Sequence, residues 1–199
     1  MTGRAETDAM HADPKRSPNL YFVGFMGTGK TLIGRRVAKA LGMQFVDADH
    51  AIEMVANKSI PEIFAAEGEA GFRAMERRFM ESGHADSGCV VSCGGGLVTG
   101  EGMIELLREK GIVFVLFASA ETILRRTSSN QNRPLLRAPD PEARIRVLLA
   151  EREPLYLRAG IGFSTENRSA DDIVRHCVRT YRYEVQRRQR ASGAGTAPG

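Results

Sequence analysis

Short apolar runs alternate along this chain with longer segments in which apolar residues return every three or four positions. Leu20-Tyr21-Phe22-Val23, Met43-Gln44-Phe45-Val46-Asp47 and Cys89-Val90-Val91-Ser92 read as strands. Residues 112–117 are apolar without a break, the mark of a strand buried on both faces. Gly160-Ile161-Gly162-Phe163-Ser164-Thr165 is a weaker strand. Between them the helical period predicts helices over 32–41, 51–56, 69–82, 101–110, 120–126, 142–153 and 170–182. Gly42, Gly83 and Gly111 stand where such helices should stop. Ser59-Ile60-Pro61-Glu62 is a capping box with proline in the first turn, and it opens a short helix that Gly68 ends. Ile173, Cys177 and Tyr181 share one face, so the last helix should dock on the core.

Strands that alternate with helices imply an α/β fold, a parallel sheet with helices on both faces. A single domain is expected over 19–182, with a disordered polar tail at 1–18 and a frayed one at 183–199. The stretch from Thr127 to Pro141 carries three prolines and several arginines, and a loop of that length is functional or disordered.

Composition adds exclusions. The net charge is +4, without a basic stripe interleaved with aromatics, so nucleic acid is not the expected partner. Arginine also suits small anionic ligands, because its planar fork binds phosphate and carboxylate bidentately. No apolar run approaches the length that spans a bilayer, and residues 1–18 hold no apolar segment of the secretory kind. Cys89, Cys93 and Cys177 have no metal or redox spacing; an odd count points to reduced thiols in a cytosol. Histidines 11, 50, 84 and 176 are scattered and form no metal cluster with them.

The chemistry begins at Gly24-Phe25-Met26-Gly27-Thr28-Gly29-Lys30-Thr31, which satisfies the phosphate-loop pattern G-x-x-x-x-G-K-[ST] between a strand and a helix. Glycines let successive N–H groups turn toward phosphate oxygens, and the helix N-terminus adds its positive end. Lys30 would reach the β- and γ-phosphates and the Thr31 hydroxyl would hold Mg²⁺. Ligands of parallel sheets lie at the carboxyl ends of the strands. Three strands end in chemistry here: at the phosphate loop, at Asp47-Ala48-Asp49 and at Cys93-Gly94-Gly95-Gly96. One carboxylate near the metal and one near an acceptor hydroxyl divides the work of phosphoryl transfer sensibly, although such acids also cap helices. Ser92-Cys93 offers no aspartate where many phosphate-loop proteins have one, which leaves Asp47 as the substitute.

Arg73 and Glu76 lie three apart and share a helix face; spacing alone makes them no more than a surface ion pair. Gly94, Gly95 and Gly96 allow close approach to the main chain. Arg133, in Arg133-Pro134-Leu135-Leu136, could close over a transferring phosphoryl group, and Arg152 ends a helix where the dipole favours cations.

In this order, Gly24 to Thr31, Asp47-x-Asp49, Gly68-Glu69-x-x-Phe72-Arg73-x-x-Glu76, Gly94-Gly95-Gly96, Arg133-Pro134-Leu135-Leu136 and Arg152-x-Pro154-x-Tyr156, the residues resemble the shikimate kinase family over 19–182. The resemblance implies a three-layer P-loop core of five parallel strands flanked by helices, with a substrate-binding segment at about 48–83 and a mobile lid at about 127–141. It implies transfer of the γ-phosphate of ATP to the 3-hydroxyl of shikimate, with Mg²⁺, in the biosynthesis of chorismate and aromatic amino acids. Lys30, Asp49 and Arg133 would be catalytic. Gly27, Thr28, Gly29, Lys30, Thr31, Arg126 and Arg133 would bind ATP, with Arg126 near the adenine. Asp49, Arg73, Gly94, Gly95 and Arg152 would bind shikimate, with Glu76 in support. Thr31 would hold the metal directly and Asp47 through water. Cys93 stands where the family often has threonine, and Leu97 where a small residue is more usual. A cytoplasmic monomer is expected, with ATP or ADP and shikimate as its partners and neither nucleic acid nor membrane. The alternatives are another small-molecule kinase of gluconate or nucleotide type and a nucleotide-binding domain without catalysis; a carboxylate acceptor, which accounts for both Arg73 and Arg152, speaks for shikimate.

Overall fold

The computed structural model describes residues 17–127 and 140–193. Its centre is a parallel sheet of β1 (Asn19–Val23), β2 (Gln44–Asp47), β3 (Cys89–Ser92), β4 (Gly111–Phe117) and β5 (Ile161–Ser164) in the order β2-β3-β1-β4-β5. Every residue of β1 and β3 is buried. Alternation decides which face each side chain feeds. Tyr21, Val23, Val91, Val113 and Val115 enter one apolar cluster, whereas Leu20, Phe22, Val90, Ile112 and Phe114 enter the other. Full burial of each such side chain is worth about 1.5–3 kcal/mol.

Among the described residues seven α-helices cover the sheet: α1 (Lys30–Leu41), α2 (Ala48–Ala56), α3 (Ile60–Ser82), α4 (Met103–Lys110), α5 (Ala120–Thr127), α6 (Pro141–Ala159) and α7 (Ala170–Gly193). Ile33, Val37 and Ala38 of α1 and Ile173, Cys177 and Tyr181 of α7 pack on one face. Ile52, Phe72, Leu107, Ile123 and Ile145, from α2 to α6, pack on the other. The chain leaves β1 for β2 at one edge and later returns to place β4 on the opposite side of β1. That reversal opens a crevice beyond the carboxyl end of β1, where the phosphate loop begins.

Four boundaries differ from the periodicity. First, α2 starts at Ala48, directly after β2, because Asp47 caps it by accepting from the His50 N–H. Second, α3 keeps the expected break at Gly68 as a bend: φ is 67° and ψ −175°, and helix resumes beyond it. Third, α6 runs through Pro154 to Ala159, since Tyr156 and Ala159 are buried and hold its last turns on the core. Fourth, α7 continues to Gly193 rather than fraying from 183; Glu184 is buried, and Arg188 donates to the Gly111 carbonyl at 2.9 Å. Ser17 and Pro18, expected within the tail, are tied down: Gly88 N donates to Ser17 O (2.7 Å) and Tyr181 OH to Pro18 O (2.6 Å). The rest of that tail, residues 194–199 and the lid segment at 128–139 lie outside the described residues. Among the described residues no helix is long and apolar enough to cross a membrane.

Candidate active site

The loop between β1 and α1 needs glycine for stereochemical reasons. Gly24 and Gly27 have φ of 140° and 75°, and a Cβ on Gly27 would stand 2.8 Å from the Thr127 methyl. Gly29 begins α1 with no side chain capping its first N–H groups, which leaves them for an anion. Phe25 O is the loop's internal anchor. It accepts from Thr28 N (3.4 Å), Thr28 Oγ1 (2.8 Å) and Lys30 Nζ (3.0 Å). Lys30 is therefore folded back over the loop it belongs to.

Thr31 Oγ1 donates to Asp47 Oδ2 at 2.9 Å and lies 3.2 Å from Ser92 Oγ. A hydroxyl, a carboxylate and a second hydroxyl from α1, β2 and β3 thus converge beside the phosphate loop. Hard oxygen donors of this kind fit Mg²⁺, which keeps several waters and takes the rest of its shell from substrate phosphates. Among the described residues no group of three or more His, Cys, Asp or Glu could cage a metal.

Across the crevice, Asp49 on the first turn of α2 and Glu76 on α3 face Gly94. Asp49 Oδ1 and Glu76 Oε1 are both buried without a hydrogen-bond partner. A Cβ on Gly94 would meet them at 2.8 and 2.7 Å, so only glycine leaves the space between them open. Burial pushes the Asp49 carboxyl above its ordinary value, and the Asp47 charge adds to the effect. Burial also drives Glu76 up to about 7, against the attraction of Arg73. Buried acceptors left without donors are costly unless something completes them. The pair therefore marks a place for donors such as hydroxyl groups.

Two arginines flank that place. Arg73 is held by Glu76 at 2.5 Å and Glu69 at 3.0 Å, and its guanidinium occupies the position a side chain on Gly96 would need. Arg152 of α6 lies over the Phe25 ring, 5.6 Å from its centroid, and its Nη1 is 3.5 Å from Gly95 O. Tyr156, one helical turn on, donates to the same carbonyl at 2.6 Å. Burial pushes the Tyr156 phenol up to about 12, against the pull of Arg152 and Arg73. The expected acceptor residues Asp49, Arg73, Gly94, Gly95 and Arg152, with Glu76, thus come together in one crevice with Lys30, Thr31 and Asp47.

Arg126 sits at the opposite margin of the phosphate loop. It donates to Thr165 Oγ1 (2.9 Å) and Thr165 O (2.8 Å) and reaches Gly27 O at 3.4 Å. Arg133 lies outside the described residues. Cys93 is buried behind Gly94 and burial pushes its thiol far up, so it acts as an apolar filler; Leu97 is likewise wholly buried. Phe25, Glu69 and Thr165 have no role in the reading of the sequence, although Glu69 stands in one of its motifs. Phe25 occupies a free position of the loop pattern, and Thr165 is remote in sequence from the arginine it holds. Glu69 could have been found, since it lies one turn before Arg73.

The family model described as shikimate kinase matches residues 26–182. A shikimate kinase of Halorhodospira halophila is 44% identical over 165 residues, 82% of this chain and 93% of that protein. One from Mycobacterium avium is 42% identical over 163 residues, 81% of this chain and 92% of that protein. The solved structure of a shikimate kinase from Acinetobacter baumannii in complex with shikimate superposes with a TM-score of 0.72 at 36% identity, covering 92% of this chain and 97% of that one. A gluconokinase from Sinorhizobium meliloti, 16% identical with a TM-score of 0.56, shares the fold.

Proposed function

This chain belongs to the shikimate kinase family, and on that premise we propose how its residues divide the transfer of the γ-phosphate of ATP to the 3-hydroxyl of shikimate. The observation that carries the division is the open space at Gly94, walled by two unpartnered carboxyl oxygens and flanked by two guanidinium groups. Shikimate has one carboxylate and several hydroxyls. Its carboxylate suits Arg73 and Arg152, and its hydroxyls suit Asp49 and the Glu76 oxygen that Arg73 does not use.

In the transfer, the acceptor oxygen forms a bond to the γ-phosphorus while the bond to the β–γ bridging oxygen breaks, releasing ADP. The hydroxyl proton passes to Asp49, whose raised proton affinity suits a base. Lys30 leaves Phe25 O for the phosphates and offsets the charge that develops there. The first N–H groups of α1 bind phosphate oxygens. Thr31, and Asp47 through water, would hold Mg²⁺, which would supply charge neutralisation at the phosphates. Arg126 borders the adenine, and Arg133 completes the grip on the phosphates.

The working unit in this reading is a monomer. The buried free thiols Cys89, Cys93 and Cys177 are in keeping with a reducing cytoplasm. A coupled ADP-release assay offering shikimate, gluconate and nucleoside monophosphates tests the reading. Turnover confined to shikimate is expected; turnover with another acceptor and none with shikimate overturns it.

A further inference from the structure

The two arginines of the acceptor crevice are held in opposite ways. Arg73 has acid partners in Glu69 and Glu76. Arg152 has no acidic partner among the described residues. It meets the Gly95 carbonyl at 3.5 Å, the phenol of Tyr156 and the ring of Phe25, all neutral. A guanidinium placed by neutral groups keeps its full charge for an incoming anion, because no carboxylate competes for it. The cost is weak orientation: a 3.5 Å hydrogen bond is at the limit of what holds a side chain. The face of an aromatic ring attracts a cation without consuming its N–H donors.

Phe25 is itself fixed. Its side chain is 1% exposed, and its carbonyl is the acceptor for Thr28 and Lys30. The same stretch abuts the acceptor side, since a Cβ on Gly95 would lie 3.2 Å from Met26 N. Phe25 therefore fastens the nucleotide loop with its main chain and touches Arg152 with its ring.

We propose that Phe25 is a positioning residue for the acceptor, its ring face holding Arg152 in place for the carboxylate of the substrate. The assignment rests on the reading of Arg152 as a carboxylate ligand. It gives this variable position of the phosphate loop a task that does not involve phosphate. It also places the acceptor grip and the nucleotide loop on one residue, so the electronics of that ring should be felt on the acid substrate and not on ATP.

The test replaces Phe25 in the full chain by mono-, di- and trifluorinated phenylalanine, which drains the ring face while nearly keeping its shape, and by leucine. KM for shikimate, KM for ATP, kcat and the melting temperature are measured for each. Shikimate KM should rise stepwise with fluorination to about fivefold, with Phe25→Leu at the top of the series and ATP KM and melting temperature level across the fluorinated forms. A flat shikimate KM across the fluorinated forms, or an ATP KM that rises in parallel, overturns the proposal. Arg152→Ala run beside them separates the two ideas. If it raises shikimate KM strongly while fluorination does nothing, only the role of Phe25 fails. If it leaves shikimate KM unchanged, the reading of Arg152 fails and takes the proposal with it.

Discussion

Asp49 Oδ1 and Glu76 Oε1 converge on one point, 2.8 and 2.7 Å from where a Cβ on Gly94 would stand, and neither has a hydrogen-bond partner. The two carboxyls come from different helices, so their meeting is a product of the fold. Gly94→Ala would put a methyl group between them. Shikimate KM should rise about tenfold or more, corresponding to about 1.4 kcal/mol or more of lost binding, with ATP KM unchanged. Steady-state kinetics in both substrates check this; an unaltered shikimate KM would mean that the acceptor does not enter that space.

Asp49→Asn keeps the shape of the side chain and removes the base. Loss of one acid–base group typically lowers turnover by about 10²–10⁴-fold. The fall should appear in kcat, with ATP affinity by titration nearly constant. Equal losses in both would assign Asp49 to the nucleotide side.

Lys30→Ala should lower kcat by about 10²–10³-fold, the scale for one charge that stabilises a developing anion. The protein should remain folded, because Phe25 O, which Lys30 Nζ meets, also accepts from Thr28 N and Thr28 Oγ1. Circular dichroism together with single-turnover kinetics separates the two effects.

Glu76 carries a pH signature. Its carboxyl is pushed from an ordinary 4.5 up to about 7 in the fold, so the native state binds its proton more tightly than the unfolded chain does. The associated stability is complete below 4.5 and is lost as pH rises through about 7. Urea denaturation from pH 4 to 8 should show that decline, and Glu76→Gln should flatten it. An unchanged slope in the variant would place the ionised form in the resting protein.

Arg73→Ala leaves Glu76, 1% exposed, without its cation. Arg73 is half-buried and Glu76 can take up a proton, so stability should drop by less than the about 3–5 kcal/mol of a fully buried pair, and shikimate affinity should drop with it. Arg73→Ala with Glu76→Gln should recover most of the stability and none of the affinity. Recovery of both would return the pair to a purely structural role.

The phosphate loop was legible because its pattern fixes residue types at fixed spacing next to a strand and a helix. The acceptor side was legible only through resemblance. Arg73 and Glu76 look like any surface pair until α3 packs them against Gly94, and burial is not written in the spacing. Asp47 shows why the two readings of an acid after a strand need not compete: it caps α2 and also accepts from Thr31. Helix ends were misjudged where tertiary contacts override local signals. Pro154 argues for a stop, yet Tyr156 reaches Gly95 and draws α6 onward. Residues 183–193 are mostly polar and arginine-rich, and their helix is explained by the buried Glu184, by Val185 packed on the core and by the bond from Arg188 to the Gly111 carbonyl.

The bend at Gly68 divides α3 so that Ile60 and its first turns lie on one side and Arg73 and Glu76 on the other. Nothing lies within 4 Å of where its side chain would be, so the glycine answers to backbone geometry alone. The halves still meet through side chains: the Phe64 and Phe72 ring centroids lie 4.9 Å apart across the bend, and Arg73 lies over the Phe72 ring. A substitution at Phe64, in the first half of the helix, is therefore felt at Arg73 in the second.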